Sequence, residues 1–379
     1  MGANRGFIFT LRELSGGLGD LGTLLPLTLA CVLAAGLSPA AVLGGFGLFY
    51  LATAGVYRLP IPVQPMKAVA AVAITAQVAP PALALGGVAI GALLLVLGLT
   101  GWIGRVARLI PKSVLAGLQL GLGAALAAVG AGWIATAPTV GLLTLAVLLG
   151  LLALPRCPAA LLGLVAAVIL GWLLDAPVLA APADPGLILP SLPVWPEVEQ
   201  ALGQLVLPQL PLTLTNAVIL TALVAQDYFG ERAASVTPRA LCLTSGLANL
   251  LLTPFGALPM CHGAGGLAAH HRFGARSGGA PLMLGLLLLA LALLPGGGGW
   301  ALAAAIPAAG LGALLLVAAG ELALTRRLFD SRRSCWPVIA ATAAVTVWQD
   351  PFWGLMAGML AEAGRVALLR RFRLDPASS

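Results

Sequence analysis

The sequence predicts an all-α polytopic membrane protein, and three observations lead to that fold class. Of its 379 residues, 60% are hydrophobic and only 9% are charged, whereas a soluble domain carries roughly 25% charged residues. Apolar runs long enough to cross a bilayer recur along the whole chain. Positive charges fall in alternate connections between these runs, as expected for membrane topology. A water-soluble domain is excluded, because these charged side chains are too few to cover its surface.

The apolar runs predict about fourteen transmembrane segments, since each run matches a hydrocarbon core of roughly 30 Å. The runs begin near Phe7, Ser38, Gln64, Ala82, Leu109, Trp133, Pro158, Leu207, Pro238, Cys261, Gly279, Trp300, Trp336 and Phe352. The third and the tenth are short, and each follows a proline-rich stretch, LPIPVQP or GALPM. We therefore expect two short strands, each followed by a half-helix that starts at the middle of the membrane.

The distribution of charge predicts the orientation of the chain. With fourteen segments and a cytoplasmic amino terminus, the inner connections should hold the Lys and Arg residues. They do hold them: Arg5, Arg12, Arg58, Arg105, Arg108, Lys112, Arg156, Arg232, Arg239, Arg272, Arg276, Arg326, Arg327, Arg332, Arg333, Arg370, Arg371 and Arg373. The outer connections, including a long loop at 175–206, contain neither residue. The sequence thus predicts a multi-pass cell-membrane protein with both termini in the cytoplasm, and the net charge of +7 reflects topology rather than nucleic-acid binding.

The two halves of the chain repeat at an offset of about 196 residues. Asp20 in LGDLGTLL matches Asn216 in LTNAVILT, and PVQP matches PMCH with one residue of slippage. Ile110-Pro111 likewise matches Ile306-Pro307. Seven segments per half is an odd number, so the second copy enters the membrane from the opposite side. The pattern predicts an inverted repeat of seven plus seven, the arrangement that places a substrate site at paired broken helices.

The two half-helices predict an electropositive site at the middle of the bilayer. Each helix start carries free N–H groups and about half a positive charge, and the two starts would face each other. Lys67, in the first turn of the third segment, brings the total to about +2, which would neutralise a tetrahedral dianion. An ionised lysine at this depth costs about 2.5 to 3.5 kcal/mol, so an anionic partner is expected.

Asp20 lies within the glycine-rich stretch GGLGDLG of the first segment, where the helix can unwind or approach another backbone closely. Its carboxylate has three possible roles: pairing with Lys67, accepting a proton that drives uphill transport, or capping exposed backbone N–H groups. Gln64, Asn216, Thr213 and Thr215 offer neutral hydrogen-bonding groups to the same cavity, although such residues also join helices.

His262, Gly263, Gly265 and Gly266 open the tenth segment, and the glycines would let an oxyanion approach backbone amides. The adjacent His270 and His271 point about 100° apart on a helix and cannot chelate one metal together, so we expect them near a cytoplasmic exit. Neither a metal site nor a cofactor is expected. The five cysteines contain no CxxC pair and are interpreted as buried apolar residues. Glu362 and Arg365 are expected to form a local ion pair.

Three stretches identify a family resemblance: GDLGTLLPLTLA at 19–30, PVQPMKAVAAVA at 62–73 and FGALPMCHGAGGLAAHHRFGARSGG at 255–279. They closely resemble the MOT1-type molybdate transporters, a branch of the sulfate permease superfamily. The similarity covers nearly the whole chain. Many sulfate permease relatives carry a cytoplasmic regulatory domain after the last segment, and from this sequence no such domain is expected.

The resemblance implies a uracil-permease-like fold in which a core domain moves against a gate domain. The core domain would comprise residues 1–105 and 207–295, and the gate domain residues 106–174 and 296–379, with the outer loop at 175–206. It further implies that molybdate binds between segments 1, 3, 8 and 10. The implied substrate-binding residues are Asp20, Gln64, Met66, Lys67, Asn216, Cys261, His262 and Gly263.

The predicted function is molybdate uptake by alternating access, with sulfate or tungstate as possible competitors and a proton or another cation as a possible coupling ion. The residues alone lead only to an oxyanion transporter. Sulfate, bicarbonate, carboxylate or nucleobase transport on the same scaffold, and an anion channel, are the alternatives. An enzyme is not expected, because the sequence has neither an HExxH helix nor a GxSxG turn. A homodimer is possible.

Overall fold

The structure, a computed structural model, describes residues 6–76, 78–103, 105, 111–154, 159–176, 194–294 and 305–371. Helices dominate these residues. The elements of the first half are α1 (Leu11–Leu18), α2 (Leu21–Ala35), α3 (Pro39–Tyr57), β1 (Gln64–Pro65), α4 (Lys67–Ala76), α5 (Pro80–Thr100), α6 (Lys112–Ile134), α7 (Pro138–Ala153) and α8 (Ala159–Leu173).

The second half begins with one long helix that contains two π-helical stretches. Its parts are α9 (Trp195–Gln200), π1 (Ala201–Val206), α10 (Leu207–Leu212), π2 (Thr213–Leu220) and α11 (Thr221–Phe229). The remaining elements are α12 (Pro238–Leu252), β2 (Met260–Cys261), α13 (Ala264–Phe273), α14 (Gly279–Ala292), α15 (Ala308–Ala323), α16 (Arg326–Phe329), α17 (Trp336–Trp348) and α18 (Pro351–Arg371).

The chain is a multi-pass membrane protein. Within the described ranges, five helical stretches are long and apolar enough to cross a bilayer: Pro39–Tyr57, Pro80–Thr100, Lys112–Ile134, Trp195–Ser235 and Pro351–Arg370. Several shorter apolar helices accompany them. The count of fourteen segments stays a prediction.

The predicted outer loop at 175–206 is wrong in its last part. Residues 177–193 lie outside the described residues, but the chain is helical from Trp195 onward. Pro196 occupies the first turn, where a missing N–H is harmless, and the Glu197 carboxylate accepts the N–H of Val194 at 2.9 Å. The helix therefore begins about three turns before Leu207, the predicted start.

Helices from the two halves pack in pairs through facing glycines. α3 packs on α14, α5 on α12 and α6 on α15. A Cβ atom added to Gly91 would lie 2.8 Å from the Gly246 carbonyl oxygen, and one added to Gly130 would lie 2.9 Å from that of Gly312. Gly285 approaches the Gly47 carbonyl in the same way, at 2.9 Å. Small residues thus let these backbones come close, which is how membrane helices gain packing energy without a hydrophobic driving force.

The two predicted strands form one antiparallel ribbon. Gln64 pairs with Cys261 and Pro65 with Met260, and the Met66 N–H donates to the Pro259 carbonyl at 2.9 Å. The half-helices α4 and α13 follow directly, so both start at this ribbon. The prediction of a strand followed by a half-helix is confirmed at both places.

Several of the predicted inner arginines lie together on one face. The N–H of Gly278 donates to the Arg58 carbonyl at 3.0 Å, and the Arg232 guanidinium donates to the Arg276 carbonyl at 2.8 Å. Arg12 packs against Gly274, and the Glu13 carboxylate accepts the backbone N–H groups of Arg276 and Ser277. We call this surface, with Arg272 at the end of α13, the arginine-rich face. Arg5, Arg108, Arg156 and Arg373 lie outside the described residues.

Candidate functional site

A small cavity lies beside the ribbon and the start of α4. Its volume is about 20 Å³, which is room for about one water molecule. Its lining includes Gln64, Lys67, Asn216, Cys261 and His262, all predicted site residues. Gln119 of α6, Leu322 of α15 and Gln209 of α10 complete the wall with a few neighbours. The structure thus brings residues from five separate regions of the chain to one place, which we call the central cavity.

Gln209 caps the start of α4. Its side-chain oxygen accepts the N–H of Ala68 at 2.8 Å and that of Val69 at 3.3 Å, and its amide nitrogen donates to the Thr213 hydroxyl at 2.8 Å. The expectation of free N–H groups is therefore wrong at this end, because a side chain from the long helix already binds them. Sequence reasoning missed Gln209, although a lone amide between Pro208 and Pro211 in an apolar segment is a visible signal.

The start of α13 differs from that of α4. Gly263 is its N-cap residue and provides no side chain for capping. Among the described residues, no group accepts a hydrogen bond from the N–H of Ala264, Gly265 or Gly266. The first turn of α13 therefore keeps open donors and the positive end of its dipole. The expectation of an available helix start stays a prediction here, with no capping side chain on the N-cap residue to contradict it.

Asp20 lies at the break between α1 and α2, where the glycine-rich stretch interrupts the first segment. The side chain is 2% exposed, and Oδ1 accepts a hydrogen bond from Gln64 Nε2. Oδ2 has no hydrogen-bond partner among the described residues. Asp20 makes no capping bond to α2 and forms no ion pair with Lys67 in the described part of the chain. Two of its three predicted roles are therefore not seen, and the proton-accepting role stays a prediction.

The His262 ring belongs to a hydrogen-bonded chain that leads away from the cavity. Nδ1 lies 2.9 Å from the Pro62 carbonyl and Nε2 lies 2.9 Å from the Thr244 hydroxyl, which lies 2.8 Å from the Tyr57 hydroxyl. A carbonyl only accepts, so Nδ1 carries the proton of its bond to Pro62, and Nε2 shares a hydrogen bond with the Thr244 hydroxyl. The ring therefore joins the stretch before β1 to α12, and both of its nitrogen atoms have hydrogen-bond partners.

The remaining predicted residues divide into two groups. Asn216 and Thr213 of π2 line the central cavity, as does Cys261. The Thr215 hydroxyl instead donates to the Pro211 carbonyl at 2.8 Å, and Met66 is fully buried in the core. Gly263 packs directly against the Gln64 side chain. The predicted set thus converges on the ribbon, although not every member borders the cavity.

A larger cavity connects the site to the arginine-rich face. It has a volume of about 590 Å³ and runs from Arg272 and Phe273 to Asp20, Lys67 and Gly265. Leu314 and Val317 of α15 form its other wall, with Glu321. We call it the vestibule. Lys67 borders both the vestibule and the central cavity.

The paired histidines separate as predicted. His270 is buried and its Nδ1 lies 2.8 Å from the Pro60 carbonyl. His271 stacks on Tyr228, with ring centroids 4.1 Å apart, and Tyr228 lines the vestibule. Only His271 is therefore placed near an exit. Elsewhere, Cys31, Cys242, Cys261 and Cys335 are free thiols, Cys157 lies outside the described residues, and the Arg365–Glu362 ion pair is confirmed at 2.7 Å.

Sequence comparisons with a family model and with curated proteins all match molybdate transporters. A family model described as "Molybdate transporter of MFS superfamily" matches residues 12–126 and 201–322. Molybdate transporter 1 of Arabidopsis thaliana is 31% identical over 402 residues, covering 92% of this chain and 87% of that protein. Molybdate transporter 1 of Chlamydomonas reinhardtii is 29% identical, covering 94% and 92% respectively.

Two solved structures described as transporters of anions share the fold. The transmembrane domain of the cyanobacterial bicarbonate transporter BicA superposes with a TM-score of 0.70 at 18% identity, covering 93% of this chain and 98% of that one. Murine Slc26a9, an anion transporter in the inward-facing state, superposes with a TM-score of 0.64 at 16% identity, covering 95% and 69%. At these identities the likeness establishes the fold.

Proposed function

Because the chain belongs to the molybdate transporter family, and is therefore a membrane anion transporter rather than an enzyme, we propose that it takes up molybdate by alternating access. The proposed site lies between the starts of α4 and α13, at the central cavity. The observation that carries the proposal is the position of Lys67, which borders both the central cavity and the vestibule. A cation at the inner end of an entry route is suited to a dianion.

The chemistry of the site supports an oxyanion. The open N–H groups of α13 supply donors and a positive dipole end, and Lys67 supplies a full charge. Gln64 and Asn216 add neutral amides that orient a ligand without adding charge. The proposed binding residues remain those named from the sequence, with the His262 ring acting through the stretch before β1, which it joins to α12.

The size of the central cavity supports movement. Room for about one water molecule is too small for a tetrahedral oxyanion, so its walls must separate. Gln119 and Leu322 come from helices of the proposed gate domain, residues 106–174 and 296–379, whereas Gln64 and Asn216 come from the proposed core domain, residues 1–105 and 207–295. A displacement of one group of helices against the other would widen the cavity, as alternating access requires.

Helix pairing supports the inverted repeat. The pairing of α3 with α14 relates the second and eleventh predicted segments, and α5 with α12 relates the fourth and ninth. Moving each segment by seven positions converts one of these pairs into the other, as an inverted repeat requires. The same shift converts the packing of α17 on α6 into that of α7 on α15. It also converts the packing of α17 on α18 into that of α7 on α8. Both termini are proposed to be cytoplasmic, from the distribution of Lys and Arg along the sequence.

Competition for uptake tests the substrate. Labelled molybdate uptake into proteoliposomes is measured with excess sulfate, tungstate, bicarbonate or uracil. We expect tungstate and sulfate to compete and uracil to have no effect. Bicarbonate is the alternative that the BicA likeness favours. Inhibition by uracil alone would contradict the oxyanion site, and inhibition by bicarbonate alone would reassign the substrate.

A second measurement separates a carrier from a channel. A carrier saturates with substrate and accumulates it against a gradient when coupled to an ion, whereas a channel does neither. Asp20 is the proposed proton acceptor, because Oδ2 is buried without a partner in the described structure and the residue borders the vestibule. Uptake that stays linear with concentration and stops at equilibrium would favour the channel.

A further inference from the structure

The hydrogen bonds of Gln209 give its side chain a defined orientation at the start of α4. The two N–H groups of Ala68 and Val69 require an acceptor, so the side-chain oxygen must face them. The amide nitrogen then faces the Thr213 hydroxyl. Gln209 is 2% exposed, and no other side chain in the described part of the chain caps these amides. The first turn of α4 therefore depends on one neutral oxygen atom.

A neutral amide oxygen is a weaker partner for these N–H groups than an anion. The start of a helix carries about half a positive charge and favours negative ligands. Hydrogen bonds to charged acceptors are roughly twice as strong as those between neutral groups. An oxyanion that reaches Ala68 and Val69 would consequently compete with Gln209 for the same donors, and its hydrogen bonds to them would be the stronger ones.

The long helix around Gln209 is built irregularly. The six-residue segment α10 carries Gln209 between π1 and π2, and it contains Pro208 and Pro211. π-helical stretches are rare and occur frequently at functional sites, and proline removes backbone hydrogen bonds that would hold a regular helix. Thr213, the partner of the Gln209 amide nitrogen, belongs to π2. A small change of register in these stretches would withdraw the side chain.

Gln209 also borders the central cavity beside Lys67. From these observations we propose that the Gln209 side-chain oxygen holds the place that a substrate oxygen takes at the start of α4, and that oxyanion binding displaces it. The inference rests on the proposed function, because it assumes that the oxyanion binds at this cavity. In this scheme Gln209 lowers the affinity for the oxyanion by competing for the same N–H groups. Once Gln209 is displaced, both α4 and α13 donate hydrogen bonds to the substrate.

A fixed structural cap makes different predictions from a displaceable one. Gln209→Glu keeps the shape and an acceptor for Ala68 and Val69, and a negative charge suits the helix dipole, although the hydrogen bond that the amide nitrogen donates to Thr213 is lost. In the displacement scheme, the ionised carboxylate of Glu at this position competes with the oxyanion more strongly than the parent amide does, so the affinity for molybdate falls. Gln209→Leu leaves the two N–H groups without their partner; a fixed cap would then lose both stability and binding, whereas a displaced competitor would lose stability and gain affinity.

The test uses the purified full-length chain, with molybdate binding measured by calorimetry and unfolding by thermal melting without substrate. We expect Gln209→Glu to bind molybdate roughly 100-fold more weakly at about pH 8.5, a pH that favours the ionised carboxylate. We expect Gln209→Leu to melt lower and to bind about tenfold more tightly. Gln226→Glu, the same change at an exposed position of the same helix, is the charge control.

Each result decides the matter. Parental affinity in Gln209→Glu, or weaker binding in a folded Gln209→Leu, overturns the displacement. If Gln209→Leu does not fold, parental affinity in Gln209→Glu still overturns the displacement, because a charged competitor at this position must weaken oxyanion binding. Lys67→Ala, measured in parallel, separates the two proposals: if it loses binding while Gln209→Glu does not, only the displacement is wrong, and if both bind normally the site itself is misplaced.

Discussion

Gln64 donates a hydrogen bond from Nε2 to Oδ1 of Asp20, which ties the strand before α4 to the break in the first segment. Both side chains are buried, and both lie against the backbone of Gly266 in the first turn of α13. The break in the first segment, the strand before α4 and the start of α13 therefore meet at this pair of side chains. A change in the charge or position of either residue should therefore alter the positions of the first turns of both α4 and α13.

Lys67 is expected to provide the positive charge of the site. Lys67→Ala removes a hydrogen bond to a charged ligand, worth about 2 to 3 kcal/mol or roughly 30- to 150-fold in affinity. Lys67→Arg should retain part of the binding. Calorimetry with molybdate measures both. Lys112→Ala, at an exposed lysine that starts α6, is the control and should bind as the parent does. Undiminished affinity in Lys67→Ala would contradict the charge assignment.

Asp20 is expected to couple transport to protons. Asp20→Asn keeps an acceptor for Gln64 but cannot be ionised, so molybdate exchange should persist while accumulation under a pH gradient is lost. Proteoliposome counterflow and gradient-driven uptake measure the two activities separately. Asp227→Asn, at an exposed position near the end of α11, should leave both unchanged. If Asp20→Asn still concentrates molybdate, the coupling group lies elsewhere.

Gly266 is expected to be intolerant of any side chain. A Cβ atom there would lie 2.6 Å from both Asp20 Oδ2 and Gln64 Nε2, and such overpacking costs about 1 to 3 kcal/mol. Gly266→Ala should therefore lower both the melting temperature and molybdate affinity. Gly265→Ala is a matched control one residue earlier, because its Cβ would meet nothing within 4 Å. Equal behaviour of the two variants would show that this contact is not required.

Thr244 is expected to support the ribbon through His262. Thr244→Val leaves the Tyr57 hydroxyl and His262 Nε2 without their shared partner, which costs about 1 to 3 kcal/mol for buried groups. The melting temperature in detergent should fall accordingly. Thr100→Val removes only an exposed hydroxyl bonded to its own helix and should change stability by less than about 0.5 kcal/mol. Similar melting of both variants would refute the bracing role of the ring.

The parts of the site that local sequence determines were predictable. Proline-rich stretches before short apolar runs indicated β1 and β2, and the glycines around Asp20 indicated the broken first segment. These features follow from the backbone limits of Pro and Gly, which act over a few residues. The charge alternation likewise indicated the arginine-rich face.

The partners of individual side chains were not predictable in the same way. Gln209 caps an amide 141 residues away along the chain, and His262 bonds a carbonyl 200 residues away. No periodicity encodes such pairs, because they depend on how the helices meet. Electrostatic reasoning predicted free N–H groups at the start of α4, but it could not predict that the Gln209 side chain already accepts the hydrogen bonds of two of them.

The ribbon also constrains how the protein is made. Gln64 and Pro65 leave the ribosome well before Met260 and Cys261, which are their strand partners. In lipid, an unpaired strand edge is costly because no water can replace the missing bonds. The emerging first half must therefore keep this edge sheltered until the second half has been inserted, and splitting the gene between the halves should yield two fragments that become competent only when produced together.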